Sequence, residues 1–264
     1  MLWQEIQLLW RSRGLVWVLT KREIHARYAG SLAGATWVYL PPLLTIAAYY
    51  LVFDVVFSMR LGDQAPVRSA GVYLIVGSLP WMAFCDAISR GMSSLIDSGG
   101  LLQKNPLPPA LFPARAVLAS AVVYGPLILL VTLFYSSMHR YAAAILALVP
   151  LLMLQLVLCW LLAYLLALFA AALRDVIALV GFILSIGIFL SPVLFPATMF
   201  PENWRWVLWL NPMAPLIGGY QAVLLTGTWP DWSTWLVTLA WIGLSAALLG
   251  PVVRRSRDQL VDWL

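Results

Sequence analysis

Few side chains in this sequence are placed to do chemistry. Asp86 and Arg90 stand four residues apart inside an apolar run, a spacing that sets them one turn apart on the same helix face. A charge at the centre of a membrane helix costs ~2.5–3.5 kcal/mol on insertion scales, so these two are expected to pair near an interface or to face a cavity. Asp54, near the end of the preceding run, completes the set of intramembrane charges. A proton relay through so few groups would be sparse. His25 and His139 flank apolar runs rather than sit inside them, and no Ser, His and acid set or metal-ligand cluster suggests itself. Cys85 and Cys159 fall in apolar runs, where a buried thiol is ordinary. The chain has no Gly-Lys pair, hence no G-x-x-x-x-G-K-[ST] phosphate cradle. If ATP drives this protein, another chain must supply the ATPase, and with it the ATP and magnesium; no cofactor and no nucleic acid is expected on this one.

The aromatic residues offer a second kind of chemistry. Tyr39, Tyr49, Tyr73 and Trp81 lie in the first two apolar runs, and Trp204, Trp206 and Trp209 cluster late in the chain. Trp and Tyr anchor proteins at membrane interfaces. Flat apolar faces with a polar tip also suit sugar rings sliding past. Both readings stand for the tryptophan cluster, whereas mid-span aromatics are harder to explain as anchors.

The elements that position these groups follow from composition. Of 264 residues, 62% are hydrophobic and 10% charged, which calls for lipid as the solvent. Apolar runs at 37–57, 71–88, 114–135, 141–173, 176–195 and 235–253 are each near bilayer-spanning length. The fold class is therefore an all-α integral membrane protein with six transmembrane helices in a single domain, 1–264. Prolines 41, 42, 80, 126 and 150 interrupt the runs and predict kinks. Of the sixteen Lys and Arg, all but Arg60, Arg68, Arg140 and Arg205 fall on one side of the runs. The positive-inside rule places that side, with both termini, in the cytoplasm.

Three segments stand outside the spans. Within 1–34, Leu2, Trp3, Ile6, Leu9 and Trp10 recur near helical period, as in an amphipathic helix at the membrane interface. The stretch 94–104, with Ser94, Leu95, Asp97, Leu101, Leu102 and Lys104, is too polar to span and too apolar for a free loop. It reads as a short helix that inserts into a partner's groove or as a packed connector. The segment 192–225 is apolar yet cut by Pro192, Pro196, Pro201, Pro212 and Pro215, so no straight span fits it. A re-entrant outer helical hairpin between the fifth and sixth spans is expected, packed on protein because lipid does not tolerate bare backbone.

These pieces resemble, in order and nearly end to end, the membrane subunits of type-2 ABC exporters of O-antigen, capsular polysaccharide and teichoic acid. The matching residues are Lys21-Arg22-Glu23-Ile24-His25-Ala26-Arg27-Tyr28 through Gly34 with Trp37 and Pro41, the connector 101–113, Arg174-Asp175-Val176, Ser191-Pro192-Val193, and Leu210-Asn211-Pro212-Met213-Ala214-Pro215. The resemblance implies a permease in the bacterial cytoplasmic (inner) membrane that forms a channel as a homodimer. A cytoplasmic ABC ATPase subunit would bind each half, through a coupling helix at 94–104. External gate helices would lie at 192–225, and a lipid-linked polysaccharide would be the substrate. Ala214, where many relatives carry a hydroxyl residue, and Gln221, where many carry Arg, depart from the family pattern. A lipid or drug exporter of the same architecture, and a proton-coupled carrier using Asp54 and Asp86, are the rival readings.

Overall fold

The computed structural model describes residues 2–27, 30–31, 34–62, 65–105, 107–139, 142–256 and 259–263. Several residues of the sequence reading, namely Tyr28, Leu32, Ala33, Pro106, Arg140 and Tyr141, lie outside that set. Regular structure among the described residues is helical, with one isolated antiparallel bridge between Arg60 and Ser69.

Two helices, α1 (Leu2–Arg11) and α2 (Arg13–Ala26), precede the spans. The first span joins a 3-10 stretch (Gly34–Tyr39), α3 (Leu40–Tyr49) and a π-helical stretch (Tyr50–Val56). Next come α4 (Ala70–Ser93), a 3-10 turn (Ile96–Ser98), α5 (Gly99–Lys104) and α6 (Leu111–His139). They are followed by α7 (Ala142–Ile145), α8 (Leu148–Ala172) and α9 (Asp175–Gly187). An irregular hairpin holds α10 (Trp206–Leu210) and α11 (Ala214–Gln221), and α12 (Trp232–Ser256) and α13 (Leu260–Trp263) close the chain.

Five of these elements are long and apolar enough to cross a bilayer: Thr36–Val56, Ala70–Ser93, Leu111–Phe134, Ala143–Ala172 and Trp232–Ser256. The fifth expected span, 176–195, is helical only as the 13-residue α9. At 1.5 Å per residue that helix reaches about 20 Å, short of a ~30 Å hydrocarbon core. Pro192 disfavours helix at the residue before it, and the chain turns from Ile188 onward. The expected kinks also divide. Pro80 and Pro126 lie inside α4 and α6. Pro41, Pro42 and Pro150 instead fall in the first turns of α3 and α8, where proline's missing N–H costs nothing.

The hub of the bundle is α4, which packs on α6, α8, α9 and α11. Its span is 67% buried, against 11% for the first span. Small residues let helices close on it: a Cβ on Gly91 would lie 2.5 Å from Ala163 Cβ on α8. A second, smaller core gathers Val16, Leu95, Leu102, Phe112, Leu168, Val253 and Leu260, so α2, the connector and the C-terminal helices share one end of the bundle. There α1 turns Trp3, Ile6 and Trp10 outward on one stripe.

Gly91→Ala is expected to destabilise the purified protein by about 1–3 kcal/mol through overpacking at the α4–α8 contact. Adding Ala163→Gly should restore most of the loss in thermal unfolding, whereas a double variant no more stable than the single one would place the contact elsewhere.

Candidate functional site

The hairpin between α9 and α12 is apolar but irregular, so its carbonyls need partners, and side chains supply them. On α4, the Tyr73 hydroxyl donates to the Pro192 carbonyl at 2.8 Å, with Gln221 Oε1 as an alternative acceptor at 3.1 Å. Gln221 Nε2 donates to the same Pro192 carbonyl at 2.6 Å. Gly77 on α4 lets this turn approach, since a Cβ there would lie 3.2 Å from Val193 Cα. Asn211 donates to the carbonyls of Gly187 and Leu190 at 3.2 and 3.3 Å, the first of which also accepts from the Leu190 N–H. The Ser191 hydroxyl donates to the Ile188 carbonyl at 2.8 Å. At the far end of the hairpin, α11 widens into a π turn (Ala222–Thr226) and stops at Gly227, whose φ of 66° is the left-handed conformation glycine adopts freely.

Deeper in the bundle lies a second polar link. Gln155 on α8 is 5% exposed; its Nε2 donates to the Pro80 carbonyl at 3.0 Å, and its Oε1 accepts from the Tyr220 hydroxyl at 2.7 Å. One side chain thus ties α4, α8 and α11 together. The sequence reading missed Gln155 and Tyr220; the available signal was a lone glutamine in an otherwise apolar run.

The aromatic residues named from sequence fall in three places. Trp204, Trp206 and Trp209 sit on the hairpin at 60, 56 and 56% exposure, with the rings of Trp204 and Trp206 stacked at 6.4 Å. Tyr39 and Tyr49 are half-buried on the first span. Tyr73 and Trp81 stand apart from both groups, 1% and 5% exposed on α4. Tyr73 is occupied by Pro192. Trp81 leans on Phe84, with ring centroids 5.6 Å apart, and borders an apolar crevice of about 440 Å³ between α4, α8 and α9.

The charges form clips. Asp54 accepts from the Ser69 hydroxyl at 2.7 and 2.9 Å and pairs with Arg60 at 3.2 Å. Ser69 is also the N-cap of α4, accepting from the Val72 N–H at 3.1 Å. At the other end of α4, Asp86 pairs with Arg90 Nε at 2.7 Å, the one-turn pairing its spacing predicts. Asp86 also pairs with Arg27 from beyond α2 at 3.4 Å, a partner that sequence spacing did not indicate. Burial draws the Arg27 pKa below its ordinary value, and Asp86 works against that shift.

In the connector, Leu95 and Leu102 are buried, and the Ser94 hydroxyl donates to the Gly91 carbonyl at 2.6 Å. Asp97, Leu101 and Lys104 face outward. Partial burial pushes the Asp97 carboxyl above its usual range, with Glu23 adding to the shift and Arg115 opposing it. Among the described residues no set of three His, Cys, Asp or Glu side chains converges as a metal site.

A helical bundle of this kind, with a re-folded hairpin before its last span, has known relatives. The model of the ABC-2 type transporter membrane family matches residues 14–225. This chain belongs to that family. It is 32% identical over 86% of both chains to the O-antigen export system permease protein RfbA of Myxococcus xanthus. It is 24% identical to the protein of the same name in Klebsiella pneumoniae, over 81% of each chain. Over 90% of this chain and 91% of the other it is 24% identical to the polysialic acid transport protein KpsM of Escherichia coli. This ABC-2 membrane chain is accordingly a permease-type transport subunit with several apolar spans.

Gln155→Leu should lower stability by about 1–2 kcal/mol, because it strands the Tyr220 hydroxyl away from water. Tyr220→Phe on that background should cost little more in denaturant unfolding. Additive losses would show that the two side chains do not share one bond.

Proposed function

We infer that this chain is the permease half of an ATP-driven exporter of a cell-envelope polysaccharide of the O-antigen or capsule type, carried on a lipid anchor. The observation that carries the reading is the end-to-end likeness to the Myxococcus xanthus O-antigen permease, 32% over 86% of both chains. Two copies form the channel, and a cytoplasmic ABC ATPase binds each one. Both termini are cytoplasmic. The exposed first span and the exposed face of α9 suit such an assembly, since an apolar surface without a partner in the protomer finds one in the second copy or in lipid.

On this reading α9 begins the fifth crossing from the cytoplasmic side and the irregular turn 188–196 completes it. The hairpin 192–225 is re-entrant from the outer face, and its irregular backbone is supported there because Tyr73 and Gln221 satisfy the Pro192 carbonyl and Asn211 ties the hairpin to the Gly187 and Leu190 carbonyls before it. The connector 94–104 is the coupling helix. Leu95 and Leu102 root it, while Asp97, Leu101 and Lys104 meet the ATPase. Trp204, Trp206 and Trp209 border the exit, with Tyr39 and Tyr49 along the first span as further path residues. A proton-coupled carrier fits less well, because Asp54 and Asp86 are both held in ion pairs.

Cells lacking this chain should retain their envelope glycan on the inner face of the cytoplasmic membrane. Export in inverted vesicles should stop when the partner ATPase loses its phosphate-loop lysine and continue when the proton gradient is collapsed; the opposite pattern would replace this function with secondary transport. Substituting all three hairpin tryptophans by Leu should reduce surface glycan severalfold at unchanged membrane abundance. Single substitutions should matter less, since an aromatic contact contributes only ~0.5–1.5 kcal/mol. Normal export from a stable triple variant would remove these residues from the path.

A further inference from the structure

The connector, α2 and α6 meet at one side chain that neither sequence motif nor spacing singles out. Arg115 lies in the first turns of α6, with its side chain 15% exposed. Its Nη2 donates to the Ser98 hydroxyl at 2.8 Å, in the 3-10 turn that opens the connector. Its Nε lies 3.6 Å from Glu23 Oε2 on α2, an ion pair too long to be a hydrogen bond. The guanidinium carbon sits 5.2 Å from the centroid of the Phe112 ring, which fixes the plane of the group from below. Thr20 on α2 donates its hydroxyl to the Val16 carbonyl at 2.8 Å, and the same oxygen comes within 3.5 Å of the Arg115 carbonyl. Among the described residues no hydrogen bond or ion pair joins the connector to α2 directly. Each meets Arg115 instead, the connector through a hydrogen bond and α2 through the ion pair.

We propose that Arg115 is the positioning residue through which a displacement of the connector reaches α2, and through α2 the first span. The proposal rests on the reading of 94–104 as the ATPase contact. Its physical basis is the shape of the group. A guanidinium is a rigid planar fork whose donors keep fixed relative directions, so moving one bonded partner reorients the donor aimed at the other. Lysine offers a point charge on a flexible stem and cannot hold two partners in a set geometry. The next turn of α2 continues the link: Glu23 is one turn before Arg27, and Arg27 is paired with Asp86 on the hub helix α4. A push on Ser98 is therefore delivered to the segment that leads into the first span, the least packed crossing of the bundle.

The test uses the complex purified with its ATPase from native membranes, together with cells carrying the same variants. ATP hydrolysis by the complex and surface glycan per membrane-resident chain are measured in parallel. For Arg115→Gln, hydrolysis should stay within about twofold while glycan exported per ATP falls about fivefold or more. Arg115→Lys, which keeps the charge, should fall by nearly as much, and Ser98→Ala and Glu23→Gln should each fall less. Combining either of these with Arg115→Gln should add nothing further. Hydrolysis and export falling in proportion, or an unchanged ratio in a folded Arg115→Gln or Arg115→Lys protein, overturns the proposal. Should Arg115→Gln not fold, Ser98→Ala and Glu23→Gln decide the matter by the same ratio. Failure of the underlying reading looks different: cysteines at Leu101 and Lys104 in the otherwise unaltered chain would not crosslink to the ATPase.

Discussion

A buried carbonyl oxygen must have a hydrogen-bond donor, and the hairpin end of this protein is organised around that requirement. The chain leaves the helical course after Gly187, and carbonyls in and beside the turn that follows take side-chain donors. Tyr73 and Gln221 converge on one of them, and Asn211 bridges two more. Each of these donors comes from a different element, so satisfying the turn also docks it. The hub helix, the end of α11 and the α10–α11 junction are all held by bonds that satisfy the backbone of the turn. Without those donors the fold would have either a longer α9 or no hairpin.

The same reasoning explains which parts of the architecture were legible beforehand. Five spans follow directly from apolar runs of sufficient length, and the fourth run, 141–173, meets the span Ala143–Ala172 almost end to end. Apolar content alone overestimated the run at 176–195, since composition does not report where a helix loses its hydrogen-bond partners. Asp86 and Arg90 were readable as a pair because both sit on one helix. Arg27 and Arg115 were not, because Asp86 lies 59 residues from Arg27 and Ser98 lies 17 residues from Arg115 on another element, and only the packing of the helices brings these groups and Glu23 near. The aromatic residues divide by the same rule. Type and position suggested a shared role, but Tyr73 had a carbonyl to satisfy and was drawn inward.

At the opposite end of the bundle, charge rather than backbone is the constraint. Arg27 and Arg115 are largely buried, and both are shielded from water by helices they help to hold. A buried ion pair is weak evidence for stability, because desolvation offsets much of the attraction. Its clearer effect is to make geometry specific: Glu23 and Arg27, one turn apart on the same helix, address α6 and α4 with opposite charges. A rotation of α2 would misalign both pairs at once. That end of the molecule is consequently registered by electrostatics, whereas the hairpin end is registered by neutral hydrogen bonds.

The first span inherits a particular freedom from this arrangement. It is clipped at one end by Asp54 to Ser69 and Arg60, and at the other it follows a helix held by Glu23 and Arg27. Between those fastenings little of it is buried, and its last seven residues are wound as a π-helix rather than an α-helix. Mechanically it is a strut pinned at both ends with a compliant section beside one pin. Side chains along its middle can vary in size and polarity with little penalty to the folding of the single chain, so this is the face that mutation can reshape while the rest of the bundle stays as it is.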